Sequence, residues 1–346
     1  MTLAVSTLGA GPAETSAWDR FVHGTPGGTL YHLVVWRQVF AREFGWETHY
    51  LQARDAAGIA GILPLVRLRS RLFGDFLVSL PYVNYGGVLT QSEAADRLLL
   101  DSAAALASAL GVSHLELREL RPRGSAWPVR TDKVIMESGL ATSADEHWAG
   151  LPSKLRSQVR RPQKAGATTR IGGAELLTDF YAVFARNMRD LGTPVYGRSF
   201  FATIAREIPE NLEVVIAELA GEPVAAGVLL HYGGRTEIPW ASSLRSANRL
   251  GVNMLMYWEC LKRAIDRGSR VFDFGRSTLD SGTYHFKRQW GAAPVPMYWH
   301  YWLRGGGELP RLNPSNPKFA LAIAAWQRLP LWLANGLGPH IVRNLP

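Results

Sequence analysis

The stretch FDFGRSTLDSGTYHFKRQWG, residues 272–291, crowds Asp273, Arg276, Ser277, Thr283, Tyr284, Lys287 and Trp290 into twenty residues punctuated by glycines. "DFG" alone suggests a kinase. A kinase also needs a GxGxxG loop, a VAIK-like lysine and an HRD loop, and the chain has none of them. The phosphate loop GxxxxGK[ST] and the hydrolase elbow GxSxG are absent as well. On its own terms, Val271–Phe274 is a short strand with Phe272 and Phe274 on one face. Asp273 points to the other face at the strand's C-terminal end, where ligands of α/β sheets tend to bind. Gly275, Gly282 and Gly291 permit tight bends. Lys287 and Arg288 follow aromatics and precede Trp290, which suits an anion and acyl-group clamp. A polar surface loop anchored by Phe286 and Trp290 has the same pattern.

Working outward, a helix over 252–266 stops near Gly268 before this strand. Upstream come an amphipathic helix over 176–192, a strand–turn–strand over 212–234 and a strand over 235–243. The first half has the same order. Helices over 15–24 and 31–44 lead to a strand–turn–strand over 48–70, a strand and Gly-rich bend over 76–90, and a helix over 92–110 closed by Gly111. The strand SHLELREL follows. Gly61 aligns with Gly227, Gly111 with Gly268, and Glu116 with Asp273. This predicts a tandem-duplicated α/β (α+β) chain, each unit a mixed central sheet flanked by helices. The expected boundaries are an N-terminal domain over 1–147, a basic linker helix over 148–170, a C-terminal domain over 171–304 and an amphipathic tail over 305–346.

The linker, LPSKLRSQVRRPQKAGATTR, carries Lys154, Arg156, Arg160, Arg161, Lys164 and Arg170 and no acid. The spacing of Arg156, Arg160, Arg161 and Lys164 places them on one helical face, and Pro162 is expected to kink or split that helix. A solvated face would suffice, yet unbalanced positive charges favour an anionic partner. The formal net charge of +9 over 346 residues agrees. The single cysteine, Cys260, excludes a disulfide framework, reads as a buried hydrophobe in a helix, and fits a cytoplasmic setting. The nine histidines show no metal-ligand spacing, so no metal is expected. The N-terminus has no signal-peptide pattern, and no apolar run reaches spanning length.

Three segments together, KLRSQVRRPQKAG, GEPVAAGVLL and FDFGRSTLDSGTYHFKRQWGA, resemble the Fem family of acyltransferases. These are tandem acetyltransferase-fold (GNAT-superfamily) proteins that include the FemABX aminoacyl transferases. The chain looks closest to the branch associated with PEP-CTERM/exosortase exopolysaccharide systems. The resemblance covers most of the chain and implies transfer of an acyl or aminoacyl group from an activated donor to an amine. It implies no tightly bound cofactor; the donor would be an aminoacyl-tRNA, an acyl-CoA or an acyl carrier, with RNA as a donor carrier in the first case. Carried over by position, Lys287 in HFKRQWG would stabilise an oxyanion or a donor phosphate. Trp290 and Gly291 match the aromatic-Gly that closes the motif. Lys154, Arg156 and Arg160 would contact phosphate, and Tyr85, Gly86 and Gly87 of PYVNYGG would line the acceptor groove. Arg276, Ser277, Thr283 and Tyr284 complete the expected substrate contacts. Asp273 is the candidate for positioning or deprotonating the amine.

Two departures bear on the donor. The acetyl-CoA signature [QR]xxGx[GA] reads NRLGVN here, with Asn248 and Asn253 at variant positions, so an ordinary pyrophosphate cradle is not expected. No coiled-coil hairpin insertion is present either. A non-catalytic module binding RNA or anionic glycan, and an acyl-CoA-dependent N-acetyltransferase, are the competing functions. In the tail, Ser315 or Asn316 can cap and Pro317 suits a first helical position. Phe319, Ile323 and Trp326 form an apolar stripe that Trp332 and Leu333 continue. It either packs on the domain or lies in a membrane interface over 316–342, which would put the protein peripherally at the inner membrane.

Overall fold

The computed structural model of the chain describes residues 2–70, 74–310 and 317–345. It divides into two units. The first comprises Met1–Val134, Val295–Arg311 and Asn344–Pro346; the second comprises Ile135–Pro294 and Leu312–Arg343.

In the first unit, β1 (Ala4–Thr7) precedes α1 (Pro12–Gly24) and α2 (Val35–Phe44). The helix expected over 31–44 is shorter than predicted, since Leu30–His32 form a separate 3-10 turn. The Trp36 and Trp18 indole N–H groups donate to the carbonyls of Leu30 (3.0 Å) and His32 (2.7 Å). The Leu30 carbonyl also accepts the Leu33 N–H in 3-10 fashion (3.2 Å), and the Val34 N–H, which an α-helix would direct to Leu30, donates instead to Asp19 at 2.8 Å. Then come β2 (Glu47–Asp55), β3 (Gly58–Ser70), β4 (Gly74–Val78), β5 (Leu89–Thr90), α3 (Glu93–Leu110), β6 (His114–Glu119) and β7 (Val129–Arg130). Ser92 caps α3 by accepting from the Ala95 N–H, and Gly111, at φ +70°, ends it.

The second unit holds β8 (Lys133–Gly139), α4 (Ala144–Gly150), α5 (Ser153–Lys164), β9 (Thr168–Gly172), α6 (Leu177–Leu191) and α7 (Arg198–Glu207). These are followed by β10 (Leu212–Leu219), β11 (Glu222–Tyr232), β12 (Arg235–Ser243), α8 (Val252–Asp266), β13 (Val271–Thr278), α9 (Gly282–Arg288) and β14 (Ala293–Pro296). After β15 (Tyr298–Leu303) the chain ends in α10 (Pro317–Gln327) and α11 (Leu331–Val342). Ser315 and Asn316, and the side chain of Phe319, lie outside the described residues. Cys260 is fully buried in α8. Among the described residues no helix is long and apolar enough to cross a membrane.

Each unit has its own sheet. The second is ordered β14-β8-β13-β12-β11-β10-β9, and the first β1-β2-β3-β4-β6-β15-β7 with β5 on β3. The duplication is visible in matching details. Gly61 in β3 and Gly227 in β11 both sit where a Cβ would collide, with Thr90 at 2.9 Å and Ile238 at 2.8 Å. Gly111 and Gly268 both take left-handed φ after the helix. Each sheet contains a parallel pair, β4 with β6 and β12 with β13. Glu116 and Asp273 stand in the last rung of those ladders.

The division of the chain differs from the expected boundaries in two places. Residues 153–164, read as a linker helix, are part of the second unit, with Leu155, Val159 and Pro162 buried. Residues 298–303, read as the end of the C-terminal domain, form β15 in the first unit's sheet, antiparallel to both β6 and β7. Tyr301 pairs in register with Glu116, and its hydroxyl donates to the Glu116 carboxylate at 2.8 Å. The other carboxylate oxygen accepts from Arg118 Nε at 2.8 Å. Arg118 also donates to the Val83 carbonyl at 3.1 Å and lies 4.8 Å over the Trp299 ring. A buried ion pair is tolerable only when its remaining hydrogen-bonding positions are filled, and β15 supplies that here. Tyr301→Phe should therefore lower unfolding free energy by about 1–3 kcal/mol, read from the urea midpoint.

Candidate active site

β13 does not end at Phe274 as expected; it runs on to Thr278, and Asp273 is its third residue. The reason is local. Asp273 is fully buried, and its Oδ1 accepts the Gly275 N–H at 2.7 Å. That short-range bond fits the left-handed Gly275, at φ +76°, a conformation that strains any residue with a Cβ. The bend turns two consecutive carbonyls, of Gly275 and Arg276, towards α9. Lys287 Nζ donates to both, at 2.9 Å each. Ser281 caps α9 by accepting the Tyr284 N–H at 3.3 Å, which fixes the helix that delivers Lys287.

The parallel ladder between β12 and β13 stops where this bend begins. Its register runs from Arg235↔Val271 to Glu237↔Asp273, although β12 continues to Ser243. Glu237 and Asp273 are thus two buried carboxylates on neighbouring strands at the last paired rung. Arg235 Nη1 lies 3.6 Å from Asp273 and 2.6 Å from Glu137. Burial pulls the Lys287 ammonium down to about 8 from an ordinary 10.5; Asp273 and Glu237 oppose that fall and Arg276 adds to it. Glu237, Arg235 and Glu137 escape a motif search. The signal for Glu237 is an acid inside the otherwise strand-like RTEIPW.

The other expected residues of this unit are differently disposed. Arg276 and Thr283 are exposed, and the Thr283 hydroxyl lies 3.0 Å from that of Ser281. Ser277 is buried with its Oγ unpaired. Tyr284 is buried, and its hydroxyl accepts from Arg288 at 3.3 Å. Trp290 is packed in the core beside Tyr257, 6.3 Å between ring centroids, with its indole N–H unpaired.

α5 is a single helix. Pro162 does not split it, because it falls in the last turn, where only one interior bond is lost. The carbonyl deprived of that donor is Gln158's. It lies against Gly251, 3.6 Å from where a Cβ would stand, at the N-terminus of α8. A helix N-terminus carries partial positive charge and suits a bare oxygen. Ser153, Arg156, Ser157, Arg160, Arg161 and Lys164 line a groove of about 420 Å³ on α5. Arg156 donates to the Trp148 and Ala149 carbonyls (3.4 and 3.0 Å), and Arg160 stacks over Trp148 at 5.3 Å. Lys154 is exposed. Arg170 lies outside this groove, on β9, paired with Asp179 and Glu218. In the NRLGVN segment, Asn248 accepts from the Ser243 hydroxyl at 3.0 Å.

Tyr85, Gly86 and Gly87 belong to the first unit. They line a cleft of about 170 Å³ with His32, Glu119 and Arg121 among others. Tyr85 is buried edge-on to Tyr31. Glycine is required at 87, since a Cβ there would lie 2.1 Å from the Glu119 carboxylate, which accepts the Val88 N–H at 2.7 Å. His32 Nδ1 takes the Thr29 N–H, so Nε2 carries the proton and donates to the Gly87 carbonyl at 3.2 Å. Burial holds that imidazole neutral, at about 4.

Residues 153–288 match the family described as acetyltransferase (GNAT) domain. No curated protein matches the sequence. The fold is similar to that of FemX, with a TM-score of 0.64 at 16% identity over 86% of this chain and 97% of that one. It is also similar to that of L-PGS from Bacillus licheniformis (0.56, 13%, 92% and 98%). A tandem GNAT protein from the clavulanic acid biosynthesis pathway scores 0.55 at 12% identity, covering 89% and 100%. At these identities the likeness shows the tandem fold. With the domain match, residues 153–288 of the second unit are a GNAT acetyltransferase domain, and the chain has the fold of tandem GNAT proteins.

The Lys287 titration gives a stability signature. Its folded value lies below its unfolded one, so between pH 8 and 10.5 the unfolded chain holds a proton that the folded chain has released. Stability should therefore rise with pH across that window, by up to about 3 kcal/mol. Lys287→Met should lack this rise in urea titrations at the two ends.

Proposed function

We propose that the chain transfers an acyl or aminoacyl group from an activated donor to an amine on a cell-envelope or exopolysaccharide-related acceptor, as in the PEP-CTERM-associated Fem branch it resembles. The observation that carries this is the difference between the two parallel strand pairs. In the first unit the chain itself closes the gap beyond the last rung: Ser79 N–H donates to the Glu116 carbonyl (2.9 Å), Arg118 N–H to the Ser79 hydroxyl (2.8 Å) and Gly86 N–H to the Arg118 carbonyl (3.3 Å). In the second unit a buried lysine occupies the corresponding region of β13. Three features there suit transfer: a cation, paired acids, and strand edges released from their ladder.

In the reaction the amine nitrogen attacks the donor's ester or thioester carbonyl, a C–N bond forms, the C–O or C–S bond breaks, and the amine loses a proton. Lys287 has a third N–H beyond the two it gives to carbonyls, and that group would stabilise the oxyanion or a donor phosphate. Asp273, joined by Glu237, would position the amine or take its proton. Arg276, Ser277, Thr283 and Tyr284 would contact the donor or acceptor, and Trp290 would support them from the core.

The basic groove on α5, with Lys154, Arg156 and Arg160, suits a phosphate-rich carrier, which favours aminoacyl-tRNA or carrier-bound acyl over acyl-CoA. The variant asparagines 248 and 253, and the Gln158 carbonyl against α8, support the same preference. Tyr85, Gly86 and Gly87 would receive the acceptor. A cytoplasmic enzyme meeting lipid-linked acceptors would touch the inner membrane peripherally, through 316–342. The bonds from Lys287 to two carbonyls are also what a purely binding module would keep, so the test must read chemistry. Amine acceptors and candidate donors should give acylated product by mass spectrometry. Lys287→Met should cut turnover at least about 100-fold and Asp273→Asn should lower it, with circular dichroism unchanged. Turnover within a few-fold of wild type removes Lys287 from the mechanism. Absence of product from all donors leaves the binding module.

A further inference from the structure

The two C-terminal helices are firmly seated and yet strongly apolar on the outside. On the seated side, Ile323 fills the space beside Gly192 at the end of α6, where a Cβ would come within 2.4 Å of its Cγ2. Gly338 in α11 meets the Val195 backbone, with a Cβ only 2.9 Å from the amide nitrogen. Arg189 Nη1 donates to the Leu329 carbonyl at 2.9 Å. The packing expectation for the tail therefore holds on one side. On the other, Leu321 is 75% exposed and Trp332 74%, with Leu337 also open to solvent. Leu191, 53% exposed, directly precedes the glycine against which α10 packs. Ala320, Ala322 and Ala325 are exposed too, so the part of α10 from 320 to 327 turns an uncharged surface outward.

A helix of a water-soluble domain ordinarily turns its apolar side inward. Large side chains exposed together mark an interaction surface. Apolarity alone would suit a second copy of the chain as well as a lipid surface, and charge separates them. From Leu309 to Pro346 there is no Asp or Glu, while Arg311, Lys318, Arg328 and Arg343 lie in that span. A symmetric pairing of this patch with itself would bring like charge onto like charge. An anionic bilayer face complements both the acid-free, positively charged composition of this span and the exposed Leu321, Trp332 and Leu337, with leucines in the acyl boundary and tryptophan at its edge.

We propose that α10 and α11, flanked by Leu191, form a docking surface for an anionic lipid bilayer. This rests on the reading of 316–342 as a membrane contact and is independent of the transfer chemistry. Full-length protein should co-sediment with vesicles of phosphatidylcholine mixed with phosphatidylglycerol at least about 10-fold more tightly than with phosphatidylcholine alone, and high salt should reduce the difference. The double variant Leu321→Ser/Trp332→Ser should bind mixed vesicles at least about 10-fold more weakly, with unchanged turnover on water-soluble donor and acceptor. Trp332→Phe, which keeps the apolar ring, should retain most of the binding. No binding to mixed vesicles, equal binding by the double variant, or indifference to the anionic lipid overturns the proposal. So does a dimer in sedimentation equilibrium that the double substitution dissolves. Lost transfer with intact vesicle binding would instead count against the enzymatic reading alone.

Discussion

A single aspartate, folded back onto the backbone two residues ahead, shapes the second unit's centre. By accepting the Gly275 N–H, Asp273 fixes a left-handed bend inside β13 and directs two carbonyls away from the sheet. Unpaired buried carbonyls are costly, and Lys287 answers both of them. The lysine is then itself a buried charge, steadied by Asp273 and Glu237 across the last rung. Each group is tolerable only because the others are present. The same interlock leaves the strand pair open beyond that rung, which is the property a transfer site needs.

The two units treat one inherited position in different ways. Glu116 and Asp273 occupy equivalent rungs, both buried. In the first unit the carboxylate is neutralised by an arginine on its own strand and a tyrosine from β15. In the second it faces a lysine on a short capped helix and an arginine on the next strand. Duplication followed by such divergence lets one fold carry two differently equipped centres.

Much of this was legible in the chain. The elements over 235–243 and 252–266 fall where periodicity and glycine punctuation put them, because local pattern and burial agree there. The aligned glycines forecast the duplication for a steric reason that the collisions at Gly61 and Gly227 make plain. Other features depend on contacts far apart in sequence. The helix over 31–44 loses its first turn to residues of α1, since Asp19 takes the Val34 N–H and the Trp18 indole donates to the His32 carbonyl. α7 is hidden from a periodicity reading because Pro194 and Gly197 interrupt the pattern just before its short amphipathic run. Within the site, FDFG and Lys287 were conspicuous, whereas Glu237 and Arg235 gain meaning only once β12 lies beside β13. Lys287's carbonyl partners follow from a backbone bend that no motif encodes.

The strand β15 has a consequence for how the chain is made. A ribosome delivers the first unit's sheet with a gap between β6 and β7, and residues 298–303, which fill it, emerge only after the whole of β8–β14. Until then Glu116 and Arg118 lack the tyrosine and tryptophan that shield them, and β6 presents an unpaired edge. The nascent first unit must therefore remain incomplete while its sibling folds. Maturation of the N-terminal half is thereby made conditional on successful synthesis of the C-terminal one.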